Sequence, residues 1–250
     1  MCSLRAAKWA QENISDDSHL REKRNKTIPF TIVTGNSTQQ QVGSNSVNLV
    51  ITDPPYYDAV QYGELSELFL VWARIITGRQ RMWRPNLDLE TVPNSVRKIG
   101  AQHYQLMLRS ILIETARTMR RSGRLLLTYH STDFRGWFAL GSGLRDAGLN
   151  IIALAVAHSE NEKDHCKRNS SAFSTDLIIE CEKKKTKNRV FTIVTAPRRS
   201  EQRELIAAGR VIAELADEQY ELVARKFSDL TRRIKYRRIH VPLQPAELKT

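Results

Sequence analysis

The sequence predicts an α/β protein built on a doubly wound, mostly parallel sheet with one reversed edge strand, followed by a basic, largely helical C-terminal extension. Three observations lead there. Short apolar, β-rich segments alternate with longer ones whose apolar residues recur every three to four positions. The last two strand segments of the alternation are joined by a polar connection, residues 159–175, too short for a crossover helix, so they are expected to pair antiparallel. Positive charge gathers at the C-terminal end: residues 183–250 hold 17 Lys and Arg against 8 Asp and Glu, three quarters of the chain's net +12. The resulting division is a polar arm (1–28), an α/β domain (29–187) and the extension (188–250).

Taken in order, residues 1–26 are polar and charge-mixed, with a short helix expected at 4–11. Strands are expected at 29–34 and 47–52, the second cut short by Pro54 and Pro55, which cannot continue a ladder. Leu65, Leu68, Phe69, Trp72, Ile75 and Ile76 mark one face of a helix over 64–76, and Tyr104, Leu108, Ile111, Leu112, Thr115 and Met119 mark the next. Residues 77–100 between them lack periodicity and read as a long loop able to touch a ligand. A helix end at Ser122-Gly123 leads into a buried strand over 124–129. A helix over 137–147 is then closed by Gly148, and strands follow at 151–157, 176–181 and 190–194. The last helix is expected over 201–230, packing through Leu205, Ala208, Ile212, Leu215, Leu222 and Phe227.

The basic balance favours a polyanionic partner, because neutralising phosphates with Lys and Arg releases condensed counterions. DNA phosphates are expected on the densest cluster, Arg232, Arg233, Lys235, Arg237 and Arg238. No apolar run approaches the roughly 18 residues that span a bilayer, so no membrane partner is expected. The three cysteines form no disulfide framework, and the first residues lack the apolar core of a secretory signal; both fit a cytoplasmic protein. His158, His165, Cys166 and Cys181 match no common zinc spacing, and no metal is expected.

The chemistry-bearing motif is Asp53-Pro54-Pro55-Tyr56, immediately after the apolar segment 47–52. An acidic proline turn after a strand is in itself common. Here it stands in a longer run, from Asn45 through Ile51 to Tyr57, Asp58, Tyr62, Leu65, Ser66 and Trp72, that resembles DNA amino-methyltransferases of the Asp-Pro-Pro-Tyr type, and within them a branch of adenine-specific DNA methylases. The resemblance continues through 123–131, 137–148 and 169–182 and stops in the basic tail. It implies a Rossmann-like methyltransferase fold, S-adenosyl-L-methionine as cofactor, and methyl transfer to the exocyclic N6 amine of adenine in DNA. Cytosine N4 and RNA or protein amines are the alternatives.

An exocyclic amine is a poor nucleophile because its lone pair is delocalised into the ring. A carboxylate and a backbone carbonyl that accept its two N–H bonds favour a pyramidal nitrogen. The resemblance gives these roles to Asp53 and the Pro54 carbonyl, with Pro55 stiffening the loop and Tyr56 offering a face to an extruded base. The turn Gly35-Asn36-Ser37 stands where the family usually has Gly-Asp and is, with Asp53, the cofactor-binding candidate; an ordinary Gly-Asn turn is the competing reading. Tyr57, Tyr129, His130, Asn169, Ser170 and Phe173 are the base-binding candidates.

The glycine-rich cofactor motif that precedes the Asp-Pro-Pro-Tyr strand in that branch is not found; residues 1–28 contain no glycine. Gly141-Ser142-Gly143 lies on an amphipathic segment, and close helix packing explains it better than a cofactor loop. The expectation is therefore an incomplete methyltransferase fold whose cofactor site is finished by a partner subunit or a second copy, or else a noncatalytic DNA-binding subunit. The strand 47–52 would present an unpaired apolar edge unless covered by a second copy, by a partner bearing the cofactor loop, or by this chain's own segments 190–194 or 201–230.

Overall fold

The computed structural model describes residues 31, 33, 35–57, 60–78, 87–131, 133–158, 175–183, 192–194 and 200–214. The chain divides into two units, Met1–Thr34 and Gly35–Thr250. Of the first, only Thr31 and Val33 are described, and neither lies in a strand; the rest of the strand expected over 29–34 is outside the described residues.

In the second unit the order is β1 (Val47–Thr52), α1 (Tyr62–Thr77), a 3-10 turn (Leu87–Leu89), α2 (Ala101–Thr118), β2 (Met119–Tyr129), α3 (Phe134–Asp146), β3 (Leu149–His158), β4 (Thr175–Lys183), β5 (Thr192–Ile193) and α4 (Ser200–Glu214). The sheet runs β1-β2-β4-β3-β5. β1 and β2 are parallel, as are β3 and β5, while β4 is antiparallel to both β2 and β3. One strand of five is thus reversed, as the short 159–175 connection requires. It lies inside the sheet, between β2 and β3, rather than at its edge: the chain passes from β2 to β3, leaves a gap of one strand, and β4 returns to fill it.

Side chains alternate across the sheet as the strand period demands. Leu125, Leu127 and Tyr129 of β2 pair with Cys181, Ile179 and Leu177 of β4, and all six are buried. This face receives α2, α3 and α4. Tyr104 of α2 meets Tyr129, Trp137 of α3 meets the same ring, and Gly209 of α4 sits on Leu154 and Leu177. The buried residues of α4 include Leu205, Ala208 and Ile212, the face read from the sequence; Leu215, Leu222 and Phe227 are outside the described residues. Gly143 of α3 fits against Leu112 of α2, where an added Cβ would come within 2.9 Å of Leu112 Cδ1, so this glycine serves helix packing. Gly148, at φ 67°, ends the α3 turn in the left-handed region.

Two boundaries differ from the sequence reading. β2 begins at Met119, directly after α2, and its pairing with β1 slips between Val47 and Leu49, so Ser122-Gly123 lies in an irregular stretch of strand rather than at a helix end. The apolar helix α1 forms, yet none of its residues is buried: Phe69 is 68% and Ile76 80% exposed. The opposite sheet face, carrying Leu49, Ile51, Leu126 and Thr128, has no described helix packed on it, and among the described strands β1 lies at the edge, with Ile51 73% exposed. The second helical layer of a doubly wound fold is therefore not filled among the described residues.

Candidate active site

β1 delivers the Asp53–Tyr56 turn to the carboxyl end of the sheet, beside the end of β2. Thr52 is in register with Leu127, so the next residues, Asp53 and Thr128, face each other beyond the last paired positions. Asp53 is exposed, Pro54 buried, and Pro55 and Tyr56 half-buried. The Thr128 hydroxyl donates to Asp53 Oδ1 at 2.5 Å, and the Tyr56 hydroxyl lies 3.4 Å from Thr128 Oγ1. Burial, followed by the hydrogen bond that its hydroxyl donates to Asp53, pushes the Tyr56 phenol well above its ordinary range, so it stays a neutral donor.

The turn is fixed from beneath by two tyrosines. Tyr104, in the first turns of α2, donates to the Pro55 carbonyl at 2.8 Å and lies 3.0 Å from the Tyr129 hydroxyl. A carbonyl only accepts, so the single Tyr104 proton is committed to Pro55 and Tyr129 is the donor between the two phenols. Tyr129 in turn accepts from the Tyr57 backbone N–H. The relay Tyr57 N–H to Tyr129 to Tyr104 to the Pro55 carbonyl clips both sides of the turn from inside the core. Burial raises both phenols well above their usual values, so neither ionises in the working range.

Tyr129 and Tyr57, expected to face a base, therefore face inward. Tyr129 is fully buried, and Tyr57 packs edge-on against Tyr104 with the Arg135 guanidinium 5.2 Å from its ring centre. Gly136 lies under the same group, where a Cβ would come within 2.8 Å of both the Tyr129 hydroxyl and Tyr57 Cβ. His130 does come to the site. Its ring stacks edge-on to Tyr56 at 4.4 Å, and its Nδ1–H donates to Asp176 Oδ1 at 2.5 Å, across from the start of β4. Half-exposed Tyr62, at the start of α1, also lies near Asp53: burial and then the Asp53 and Glu90 charges raise its phenol.

Gly35, Asn36 and Ser37 are not brought to this end. Asn36 Oδ1 accepts from the Thr38 N–H and hydroxyl, both at 2.9 Å, which closes the turn on itself. The segment that follows is strapped to the far end of α2. Glu114 accepts from the Gln40 N–H, and Arg117 donates to the Gln40 and Val42 carbonyls and to Ser44 Oγ. Eleven residues of helix, about 16 Å, separate Tyr104 from the Thr115 contact of Gln40. The ordinary-turn reading of Gly35-Asn36-Ser37 accounts for these contacts. Asn169, Ser170, Phe173 and the cluster Arg232, Arg233, Lys235, Arg237 and Arg238 are outside the described residues.

The sequence reading did not single out Thr128, Asp176 or the site-facing role of Tyr104. Tyr104 was read as one more apolar helix position; its hydroxyl was the unused signal, because a tyrosine at a fully buried position needs a polar partner.

No family model matches the chain, and no curated protein matches it. Among solved structures, it is similar to TTHA0409, a putative DNA modification methylase from Thermus thermophilus, at 15% identity and a TM-score of 0.34, covering 68% of this chain and 58% of that one. The same protein complexed with S-adenosyl-L-methionine matches at 15% identity, 66% and 53% coverage and a TM-score of 0.30. A complex of M1.HpyAVI with SAM matches at 12% identity, 74% and 66% coverage and a TM-score of 0.29. The chain thus spans 58% of the length of the first of these.

Proposed function

We propose that this chain is the amine-holding half of a DNA amino-methyltransferase, with S-adenosyl-L-methionine as methyl donor and the N6 amine of adenine as acceptor. The observation that carries the reading is an exposed carboxylate, Asp53, at the carboxyl end of a parallel strand, on a proline turn held from the core by Tyr104 and Tyr129. Asp53 and the Pro54 carbonyl accept the two N–H bonds of the amine, and the Pro55 carbonyl is already engaged by Tyr104. Such preorganised acceptors cost no rearrangement when the nitrogen becomes pyramidal. Tyr56 and His130, packed against each other, form the wall against which an extruded base rests, and Asp176 holds the His130 ring in place. When bound, the donor would supply a sulfonium methyl group, its S–C bond breaking as the N–C bond forms and its sulfur leaving as a neutral thioether; the nitrogen must shed one proton, and Asp53, open to solvent, can hold that proton and release it to water.

The described residues fit the amine side of this reaction and not the donor side. Asn36 is closed into its own turn, in the segment strapped to the far end of α2, and no described glycine-rich loop flanks β1. This favours a site completed by a second copy or a partner subunit, and it is also the observation behind the alternative, a noncatalytic DNA-binding subunit. DNA phosphates on the basic tail fit either reading. Asp53→Ala separates them: it should abolish incorporation of tritiated methyl into DNA while leaving the DNA binding isotherm unchanged. Retained transfer by this variant would remove Asp53 from the mechanism, and absence of transfer by the parent chain, alone and in its cellular extract, would favour the noncatalytic reading. Cytosine N4 and RNA acceptors are distinguished by digesting the labelled product to nucleosides.

A further inference from the structure

We infer that Thr128 is a positioning residue for Asp53, a role that rests on the amine-methylation reading and specifies how its carboxylate is aimed. Along β2, Leu125, Leu127 and Tyr129 point into the core, so Thr128 points to the other face, where no described helix packs. Its hydroxyl therefore answers no need of the core. It is instead the residue opposite Asp53 at the end of the parallel pair, donating to Asp53 Oδ1 and close enough to accept from the Tyr56 hydroxyl. A carboxylate has no proton to give, which fixes the direction of the first bond.

The consequence is geometric. An exposed aspartate at the end of an edge strand is free to rotate, and a rotating acceptor cannot be preorganised. A hydroxyl on the adjacent strand pins Oδ1 and presents Oδ2 to the amine. Threonine suits this better than serine, because its β-branched side chain has few accessible χ1 rotamers and carries the hydroxyl as a rigid donor. Tyr56, bonded both to the same hydroxyl and to Asp53 itself, joins the base wall to the carboxylate, so the two parts of the site keep a common register.

The test compares the full chain with Thr128→Val, which keeps the shape and removes the hydroxyl, and Thr128→Ser, which keeps the hydroxyl and loosens it. Loss of a hydrogen bond to a charged group predicts a fall in kcat of about ten- to a hundredfold for Thr128→Val. KM for DNA and for donor should stay within about twofold, and Thr128→Ser should recover most of kcat. Carbon-13 relaxation at Asp53 Cβ reads the pinning without any turnover: rigid in the parent, intermediate in Thr128→Ser, averaged in Thr128→Val. Wild-type kcat in Thr128→Val, or an equally rigid Asp53 in all three, would overturn the role of Thr128. A parent chain that methylates nothing, alone and in its cellular extract, yet shows the expected relaxation difference, would overturn the methylation reading while upholding the pinning.

Discussion

Tyr104→Phe is expected to destabilise the protein and loosen the Asp53–Tyr56 turn without touching any group that meets the substrate. Tyr104 is fully buried, and its hydroxyl makes two bonds, to the Pro55 carbonyl and with Tyr129. Its removal leaves the buried Tyr129 hydroxyl without its acceptor and the Pro55 carbonyl without its donor. A buried polar group left unpaired costs roughly 1–3 kcal/mol. Pro55 is half-buried, so water can replace part of its loss, and the sum is about 2 kcal/mol. For a chain of this size that corresponds to a fall in Tm of about 4–8 °C.

Stability alone would not separate a clip from an ordinary core contact; two further measurements do. In a double-mutant cycle with Tyr129→Phe, both single changes remove the same phenol–phenol bond, so the double variant should cost about 1 kcal/mol less than the sum of the two. Amide exchange at Tyr57, whose N–H feeds the relay, should quicken in Tyr104→Phe and more in Tyr129→Phe. Strictly additive costs together with unchanged exchange at Tyr57 would refute the relay and reduce the two tyrosines to packing.

Neutralising Arg232, Arg233, Lys235, Arg237 and Arg238 should flatten the slope of log DNA affinity against log salt by about 0.9 per lost phosphate contact, and an unchanged slope would mark the cluster as a solvated surface. Arg117→Ala should free the strap over residues 40–46, read as faster amide exchange there with α2 still protected. The same strap responds to acid: Arg117 hydrogen bonds hold the Glu114 carboxyl below its usual value, so this contribution is complete above the ordinary glutamate range, about 4.3, and is lost as pH falls through the depressed value. Amide exchange at Gln40 that is flat across that range would contradict the assignment. Light scattering of the purified chain should show association rather than a monodisperse monomer, and calorimetry should show no cofactor binding by monomer; a monomer that binds S-adenosyl-L-methionine at micromolar concentration would show that the chain completes its own site.

What was legible in the sequence was what local chemistry dictates. β1 was delimited because two prolines end it, α2 because its apolar residues repeat at helical spacing, and the β3–β4 pairing because their connection is short. The position of the reversed strand was not legible: a short connection fixes direction, not which neighbour the returning strand takes on its other side. Nor was the orientation of Tyr57 and Tyr129, since an aromatic at a strand end has the same local pattern whether it faces a ligand or a core. His130 and Asp176 lie 46 positions apart and meet only because β4 returns beside β2. Gly35-Asn36-Ser37 misled because a Gly-Asn turn is the same string whether it holds a cofactor or closes on Thr38; the discriminating contact, Arg117 to the chain beyond it, is some 75 residues away.

Among the described residues, the exposed helix α1 and the open edge of β1 belong to one physical problem. A helix with a sustained apolar stripe gains its stability in a protein mainly by burying that stripe, and an unpaired strand edge is a template for another strand. Both flank the candidate site: β1 ends at Thr52, just before Asp53, and α1 begins at Tyr62, whose phenol feels the Asp53 charge. Whatever covers β1 and α1 therefore also sets the outer wall of the Asp53 turn, the side on which the described residues provide no donor site. The inner wall is complete in this chain, from Tyr104 and Tyr129 below to Thr128 beside the carboxylate. If a second molecule covers that wall, the proposed methyl transfer should appear together with association rather than as a separate property.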